Sequence, residues 1–557
     1  MRSTPARVPA IVRSAWSVYR RVAYVRELLR SPITLTEART SIQSRMAERA
    51  PAFLDMVERT IFAQPDSAYR SLLDGAGYDL PAIKALVGAA GVEGALHRLA
   101  QDGVYISIEE FKGNRPTRRG PRTYRFDPEA FNNPLFPRGL QVLSGGTRSG
   151  RLPTTISWAN HRMGVDHLAV ALSAYGLLSC PVVVWLAQAH GASLWAVLAL
   201  ANMGKAPQRW FTQLAGRLGG LDSMHGNYPI MRAAARASGV ALPPLTHVAV
   251  GQEERILRWI ASRAARNGCG IVTTPSLALR LALAAGRHGA SLAGVVFVTI
   301  AEPLTPAKLA TIRAQGGQAF SSLGFTEFGR ATYGCAAPEA ADDTHLCRDA
   351  VAVIQRHRIV DNAGSAVNGL LFTALRPDAR KILLNMETGD YATLSTRRCG
   401  CPLEGIGWTE HLHGIRSFEK LNAEGRLFFG SDLISLVEEI LPAQFGGDPT
   451  DYQLVESEDK QGFTRLTVLV DPRLGHVDER GIIERVETGL QLKHAVNSRV
   501  WRETGTIRLA RAKPIFTKAG KLMPLHHLGV NGDLVLRTAP HAAHSDAPGE
   551  PWRSDPA

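Results

Sequence analysis

Apolar residues recur every three or four positions through the first part of the chain. This spacing predicts helices over Ala10–Leu29 and Leu35–Ala63, and two shorter helices over Pro81–Gln101. The segment Gly113–Pro134 contains four prolines and several arginines, which predicts an exposed connection to the next unit. Residues 1–135 are therefore predicted to form a helical N-terminal region.

The pattern changes near residue 136, where short apolar runs rich in β-branched residues alternate with amphipathic segments. The predicted strands are Val248–Val250, Gly270–Thr273 and Gly294–Ile300, and the helices between them are Glu253–Arg266 and Ser276–His288. Such alternation is typical of a parallel sheet with helices covering both faces. We therefore predict a large α/β domain over residues 136–415.

The most apolar stretch of the chain is Val182–Met203. Three polar residues, Gln188, His190 and Ser193, interrupt it, so it predicts a pair of buried helices more readily than a membrane span.

Beyond residue 416 the pattern becomes that of a smaller α+β domain, which we place at residues 416–538. A helix is predicted over Leu433–Leu441, an alternating strand over Phe463–Val470, and a second helix over Glu479–Leu490. The final residues, 539–557, are rich in Ala, His, Pro and Asp and predict a disordered tail.

Composition narrows the class of protein. The chain is 45% hydrophobic and 20% charged, as expected of a globular protein. Its net charge is +14, but the Lys and Arg residues are dispersed, which fits a polyanionic small molecule and gives no specific sign of nucleic acid. Six cysteines are too few for a disulfide scaffold, and the N-terminus lacks the apolar core of a signal peptide. We expect a cytoplasmic protein without membrane insertion, and a homodimer is compatible with the sequence.

The loop Ser144–Thr155 reads Ser-Gly-Gly-Thr-Arg-Ser-Gly-Arg-Leu-Pro-Thr-Thr. Glycines allow backbone N–H groups to turn toward an anion, and hydroxyl and arginine side chains add donors and charge. The glycine spacing approaches that of a Walker loop, but Arg151 and Leu152 stand where Lys and Ser/Thr are required. The loop therefore predicts either a different kind of phosphate site or a flexible surface loop.

Three further motifs follow in order. Ser322–Glu327 offers an aromatic ring and a carboxylate, with a plain helix N-cap at Thr326 as the alternative. Glu387–Asp390 places a carboxylate on a tight turn, where it could bind vicinal ribose hydroxyls or belong to an ordinary turn. Lys518–Lys521 supplies a late ammonium group that is either a catalytic cation or solvated surface.

This order of motifs resembles the acyl-adenylate-forming superfamily, and within it the phenylacetate–coenzyme A ligase branch. Further matching pieces are Thr274–Ser276, Glu302-Pro303, Cys399–Pro402 and Gly414–Ser417. The resemblance covers roughly residues 136–530. It implies a large adenylate-forming domain followed by a small C-terminal domain on a hinge, which rotates between two half-reactions.

The resemblance also implies roles for individual residues. It assigns phosphate binding to Ser144, Gly145, Gly146, Thr147 and Gly150. It assigns the nucleotide pocket to Glu302, Gly324, Phe325 and Thr326, and ribose binding to Asp390 and Arg416. Glu327 would bind Mg²⁺, and Lys521, Glu327 and Thr147 would be the catalytic residues. The implied reaction joins a small-molecule carboxylic acid, aryl or fatty, to AMP from ATP with release of pyrophosphate, and then transfers the acyl group to coenzyme A.

The sequence also departs from the branch pattern. The phosphate loop is longer than usual, Arg148 replaces a hydroxyl residue, and Leu384–Glu387 lacks the Arg-Tyr pair expected before Thr-Gly-Asp. Two alternatives therefore stay open: an acyl-protein synthetase with a protein acceptor, and a catalytically silent nucleotide-binding scaffold.

Four residues, Cys335, His345, Cys399 and Cys401, make up a set of tetrahedral zinc ligands. Cys347 could replace one of them, and reduced, partly buried thiols are the alternative. Some members of the branch carry a structural zinc at a similar Cys…His…Cys-x-Cys arrangement. With all four positions filled by protein, the predicted zinc is structural.

Overall fold

The computed structural model describes residues 10–136, 140–143, 153–156, 158–186, 191–213, 224–249, 251–302, 304–325, 327–359, 366–377, 379–417, 420–423, 426–429, 436–447, 451–459, 461, 463–491, 504–515 and 525–527. The α-helices are α1 (Ala10–Arg30), α2 (Leu35–Ala47), α3 (Arg49–Val57), α4 (Ala68–Ala76), α5 (Leu80–Gln101), α6 (Ile108–Phe111), α7 (Trp158–Ala174), α8 (Ala192–Asn202), α9 (Met224–Ala237), α10 (Glu254–Asn267), α11 (Pro275–Arg287), α12 (Pro306–Ala314), α13 (Leu441–Phe445) and α14 (Glu479–Gln491).

The strands are β1 (Thr117–Arg119), β2 (Arg122–Tyr124), β3 (Leu140–Leu143), β4 (Pro153–Ile156), β5 (Val182–Leu186), β6 (Arg209–Thr212), β7 (Leu245–His247), β8 (Cys269–Thr273), β9 (Val295–Thr299), β10 (Gln318–Phe320), β11 (Gly324–Phe325), β12 (Gly329–Arg330), β13 (Thr332–Gly334), β14 (Thr344–Leu346), β15 (Val351–Ile359), β16 (Ala366–Ala374), β17 (Met386–Thr396), β18 (Glu410–Ser417), β19 (Lys420–Ala423), β20 (Arg426–Phe429), β21 (Tyr452–Glu458), β22 (Thr464–Val470), β23 (Ile507–Arg511) and β24 (Leu525–His527).

A six-stranded parallel sheet lies in the large domain, in the order β10-β9-β8-β5-β6-β7. Its central strands β5, β8 and β9 are buried along their whole length, because helices cover both faces of the sheet. Apolar side chains of α10, α11 and α12 pack on one face, and those of α1, α7, α8 and α9 pack on the other. The predicted α/β fold class is confirmed.

The expectation of two buried helices over Val182–Met203 was half wrong. Its first part is the central strand β5, and only the second part, α8, is helical. Four of the five residues of β5 are Val or Leu and all five are buried, a composition that a strand and a buried helix share. The strand predicted at Val248–Val250 lies three residues earlier, as β7. No helix among the described residues is both long and apolar enough to span a bilayer.

A second six-stranded sheet is antiparallel, in the order β13-β14-β18-β17-β16-β15. The last of these strands in sequence, β18, extends to Ser417, so the predicted domain limit at residue 416 lies inside a strand. The smaller C-terminal sheet has the order β23-β22-β21-β24 and packs against α13 and α14. Of the helix predicted over Leu433–Leu441, the structure describes the residues from Leu436 onward: they are helical, with π-helical Leu436–Ile440 leading into α13.

The small domain contacts the large domain beside the start of α12. The Thr305 hydroxyl, which caps that helix, donates to Glu458 Oε1 over 2.7 Å. The guanidinium of Arg280 lies 4.8 Å from the centre of the Phe463 ring. Burial raises the pKa of Glu458, while its Thr305 hydrogen bond and the positive charges of Lys308 and Arg416 oppose this rise.

The N-terminal helices share their cores with the large domain. Residues of α1 and α2 pack with α7 and α8, and residues of α3 to α6 pack with the antiparallel sheet. The helix predicted over Leu35–Ala63 is broken at Glu48, whose φ and ψ of −97° and 13° are not helical. Two helices over Pro81–Gln101 are confirmed, because Gly91, with φ of 70°, kinks α5. The connection predicted at Gly113–Pro134 contains the hairpin β1–β2.

A buried charge network fastens α2 to the large domain. Arg45 donates from Nη1 to Asp166 over 2.8 Å and from Nε to Asp349 over 2.7 Å. The Asp349 carboxylate also lies 2.9 Å from His167 Nε2 and accepts from Trp408 Nε1 over 3.1 Å. Asp349 is fully buried, so these three partners compensate for its lost hydration.

Candidate functional site

Several predicted nucleotide residues lie outside the described residues: Ser144, Gly145, Gly146, Thr147, Gly150, Thr326 and Lys521. The predicted tail, residues 539–557, lies outside them as well. The strands on either side of the predicted phosphate loop are described, and they form an antiparallel pair with Leu143 opposite Pro153. The loop therefore connects two adjacent strands of a hairpin.

The Ser322–Glu327 motif forms a second hairpin, β11–β12. Gly324 pairs with Arg330, and a Cβ atom added to Gly324 would lie 2.7 Å from the Gly329 carbonyl oxygen, so the hairpin requires glycine there. The Phe325 ring packs edge-on against Phe372 of β16, with 5.0 Å between the ring centres. This contact anchors the hairpin on the antiparallel sheet.

Glu327 is surrounded by positive charge. Arg380 and Lys381, in the connection from β16 to β17, both interact electrostatically with its carboxylate. Burial lowers the pKa of Arg380 to about 10 and also lowers the pKa of Lys381, while Glu327 opposes both shifts. Two partly dehydrated cations beside a carboxylate are suited to a polyphosphate that carries Mg²⁺. Neither cation belongs to one of the sequence motifs.

Glu302 has a structural partner. Its Oε2 atom accepts from the Ser276 backbone N–H over 3.1 Å and from the Ser276 hydroxyl over 2.5 Å. Ser276 is in the first turn of α11, where a carboxylate is stabilised by unpaired N–H groups. Glu302 therefore joins the end of β9 to α11, and its predicted place in the adenine pocket stays a prediction.

Asp390 and Arg416 lie on neighbouring strands of the antiparallel sheet, one residue out of register with each other. In the pairing of β17 with β18, Asp390 lies opposite Ser417, and Tyr391 lies opposite Arg416. Arg416 donates from Nη1 to Asp342 Oδ2 over 3.1 Å, and its side chain is 34% exposed. The Asp342 carboxylate thus orients the guanidinium and leaves part of it open to a ligand.

The cysteine–histidine set also comes together. The ligand atoms of Cys335, His345, Cys399 and Cys401 all lie within 4.8 Å of one another. His345 Nε2 lies 3.1 Å from Cys401 Sγ and 3.6 Å from Cys399 Sγ. Four such atoms around Zn²⁺ would be about 3.8 Å apart, given a Zn–S distance of about 2.3 Å. This donor set fits zinc. Cys347 belongs to the surrounding core and is absent from this set of described ligand atoms.

Neighbouring groups hold these ligands in place. His345 Nδ1 lies 2.6 Å from the Trp408 carbonyl oxygen, which accepts a hydrogen bond from it and so orients Nε2 toward the thiols. Arg397 reaches Cys335 Sγ over 3.7 Å. A hydrogen bond from Cys335, together with His345, holds the pKa of Cys401 well below the usual range of a thiol. A lowered pKa favours the thiolate, which is the form in which a cysteine binds a metal ion.

Comparison with known proteins gives only distant likenesses. No family model matches the chain, and no curated protein matches it. A solved 2-hydroxyisobutyryl-CoA ligase in complex with 2-HIB-AMP and CoA is 15% identical, covers 88% of this chain and 90% of its own, and has a TM-score of 0.49.

A malonyl-CoA ligase with methylmalonyl-CoA and AMP bound is 13% identical over 67% of this chain and 71% of its own, with a TM-score of 0.38. A variant of an amide bond synthetase from Marinactinospora thermotolerans is 14% identical over 86% of this chain and 93% of its own, with a TM-score of 0.37.

Proposed function

We propose that this chain is an ATP-dependent, AMP-forming ligase similar to phenylacetate–coenzyme A ligase, which activates an aryl or fatty acid and transfers it to a thiol, coenzyme A. The order of the motifs along the chain carries the proposal; Asp390 lies on β17 and Arg416 on its neighbouring strand β18. These are the two residues that the motif order assigns to the ribose. A carboxylate offers acceptors to both ribose hydroxyls, and the exposed part of the guanidinium offers donors to ring or phosphate oxygens.

The remaining roles follow from the motif order. Ser144, Gly145, Gly146, Thr147 and Gly150 bind the β- and γ-phosphates; Glu302, Gly324, Phe325 and Thr326 line the nucleotide pocket; Lys521 neutralises charge in the transition state. Glu327 holds Mg²⁺, which when bound offsets the charge of the phosphates. Arg380 and Lys381 add positive charge next to Glu327 and stabilise the pyrophosphate leaving group.

The reaction has two steps. An oxygen of the substrate carboxylate attacks the α-phosphorus of ATP, and the bond from that phosphorus to pyrophosphate breaks. The thiolate of coenzyme A then attacks the carbonyl carbon of the acyl-adenylate, and the bond to AMP breaks. The protein contributes orientation and charge neutralisation to both steps and forms no covalent bond with the substrate.

The cysteine–histidine set is proposed to hold a structural Zn²⁺. All four coordination positions would be filled by Cys335, His345, Cys399 and Cys401, so no open position is left for substrate. The site ties β13 and β14 to the turn that precedes β18.

The ribose assignment is tested by Asp390→Ala. We expect the Kd of Mg-ATP, measured by isothermal titration calorimetry, to rise roughly 10- to 100-fold, because two charge-assisted hydrogen bonds are lost. Asp74→Ala is the matched control, since the Asp74 side chain is 54% exposed in an i,i+4 pair with Arg70. An unchanged Kd in Asp390→Ala would remove Asp390 from the nucleotide site.

A further inference from the structure

Arg330 lies beside the candidate nucleotide pocket. It is the strand partner of Gly324 in the β11–β12 hairpin, and it follows Glu327 by three residues. Its Nη1 atom donates to the Ser322 hydroxyl over 2.6 Å. Ser322 in turn donates to the Thr299 carbonyl oxygen over 2.8 Å, at the end of β9. The guanidinium is therefore fixed at the carboxyl edge of the parallel sheet, where α/β folds bind ligands.

The charge of Arg330 has no acidic partner among the described residues. Other arginines of the described residues do have one: Arg358 pairs with Glu387, Arg397 with Asp343, and Arg416 with Asp342. Arg330 is half-buried. Its Nη1 atom bonds to Ser322, whereas Nε and Nη2 are not among the described buried atoms that lack a hydrogen bond, so both retain some contact with solvent. These donors are thus accessible to a small anion.

Aromatic rings flank this cation. The Arg330 guanidinium lies 5.9 Å from the centre of the Trp195 ring and 5.4 Å from that of Tyr333. Tyr333 is fully buried, whereas the Trp195 indole is half-buried. Trp195 can approach α7 because residue 164 is glycine; a Cβ atom there would lie 2.8 Å from Trp195 Cζ2. The indole is therefore held in place by the helix and is open on part of its surface.

His161 lies next to Trp195 on the aromatic side of Arg330 and adds no positive charge that would compete for an anion. Its ring lies 5.9 Å from that of Trp195 and 6.0 Å from that of Tyr24. Burial lowers the pKa of His161 to about 3, so its imidazole is neutral at physiological pH. The positive charge beside Trp195 therefore comes from Arg330, and the aromatic and imidazole rings around the indole are uncharged.

We propose that Arg330 binds the carboxylate of the acid substrate and that Trp195 contacts its organic part. This inference rests on the proposed function, since the carboxylate of an acid that is to be adenylated must lie next to the nucleotide. A guanidinium binds a carboxylate through two parallel N–H···O bonds, which fixes the orientation of the attacking oxygen as well as its position.

Steady-state kinetics of Arg330→Met and Arg330→Lys test the assignment. In Arg330→Met the KM for the acid should rise about 30-fold or more, while the KM for ATP stays within about twofold. Arg330→Lys keeps the positive charge but lacks the paired N–H donors of the guanidinium, so its KM for the acid should lie between those of the wild type and Arg330→Met. Arg480→Met is the matched control, because the Arg480 side chain is 89% exposed. Equal rises in both KM values, or none, would overturn the assignment.

A binding assay separates this inference from the proposed function. The intrinsic fluorescence of the wild-type protein is titrated with phenylacetate, benzoate and octanoate in the presence of Mg-ATP, with phenylacetamide as the uncharged control. We expect a saturable change that Arg330→Met and Trp195→Phe both lose. Arg330-dependent binding without pyrophosphate exchange would refute the ligase function and leave the carboxylate site intact. Binding that is unchanged in Arg330→Met, or absent from the wild type for every acid, would refute the site.

Discussion

Asparagine in place of Asp349 is expected to lower the free energy of unfolding by about 3–5 kcal/mol, because it breaks a buried charge pair. The fully buried carboxylate interacts with Arg45, His167 and Trp408, and the substitution leaves part of the Arg45 charge without its counterion. Since Arg45 belongs to α2, the loss should also loosen the N-terminal helices. Urea denaturation followed by circular dichroism measures the effect.

The same effect should depend on pH. Burial disfavours the charged form of Asp349, but His167 and Arg45 outweigh it and lower the pKa of Asp349 from 3.8 to about 2. A lowered pKa stabilises the fold above the unfolded-state value, and that contribution is lost as pH falls from 3.8 toward 2. The difference in the free energy of unfolding between the wild type and Asp349→Asn should therefore become smaller as the pH falls through this range.

Asp55→Asn is the control for this prediction. The Asp55 and Arg59 side chains form an i,i+4 pair that is 47% and 53% exposed, respectively. Such a pair contributes only about 0.5 kcal/mol, because water screens it. If Asp349→Asn were as stable as Asp55→Asn, the network would not fasten α2 to the large domain.

The second large effect is expected at the cysteine–histidine set. The purified protein should contain about one zinc per chain by mass spectrometry of the metal, and the Cys399→Ser, Cys401→Ser double variant almost none. Loss of the metal should lower the midpoint of thermal unfolding, since its binding energy contributes to folding. The removal of zinc from the wild type by a chelator should give the same midpoint as the double variant.

Cys180→Ser provides the matched thiol control. Cys180 is half-buried and lies outside the cysteine–histidine set; its Sγ atom donates to the Gly176 carbonyl oxygen over 3.6 Å. This variant should keep both its zinc and its thermal midpoint. Zinc-free wild-type protein, prepared without chelators and with reduced thiols, would mean that the four residues form an ordinary thiol cluster.

Much of the fold could be predicted from local patterns. The helices α10 and α11 were predicted to within one or two residues because they show a helical period, and the strands β8 and β9 because they are short runs rich in β-branched residues between helices. The helix predicted for β5 was wrong because a fully buried strand has no alternation of polar and apolar residues. The hairpin β1–β2 was missed because Pro and Gly on either side resemble a plain connection.

The site was predictable only in part, since motifs identify residues but not their neighbours. That Asp390 and Arg416 lie on neighbouring strands depends on the pairing of β17 with β18, which neither segment encodes alone. Asp342 lies 74 residues before Arg416 in sequence, and nothing in its local pattern marks it as the partner. Arg330 belongs to no motif, and its importance appears only when the charges around it can be compared.

Acid-dependent exchange of labelled pyrophosphate into ATP tests the central claim most directly. We expect label to enter ATP only when the protein, Mg²⁺ and a suitable aryl or fatty acid are all present, and Lys521→Ala and Asp390→Ala both to reduce the rate. No exchange with any acid of the panel, from a protein that binds Mg-ATP and is fully folded, would contradict it and favour a nucleotide-binding scaffold.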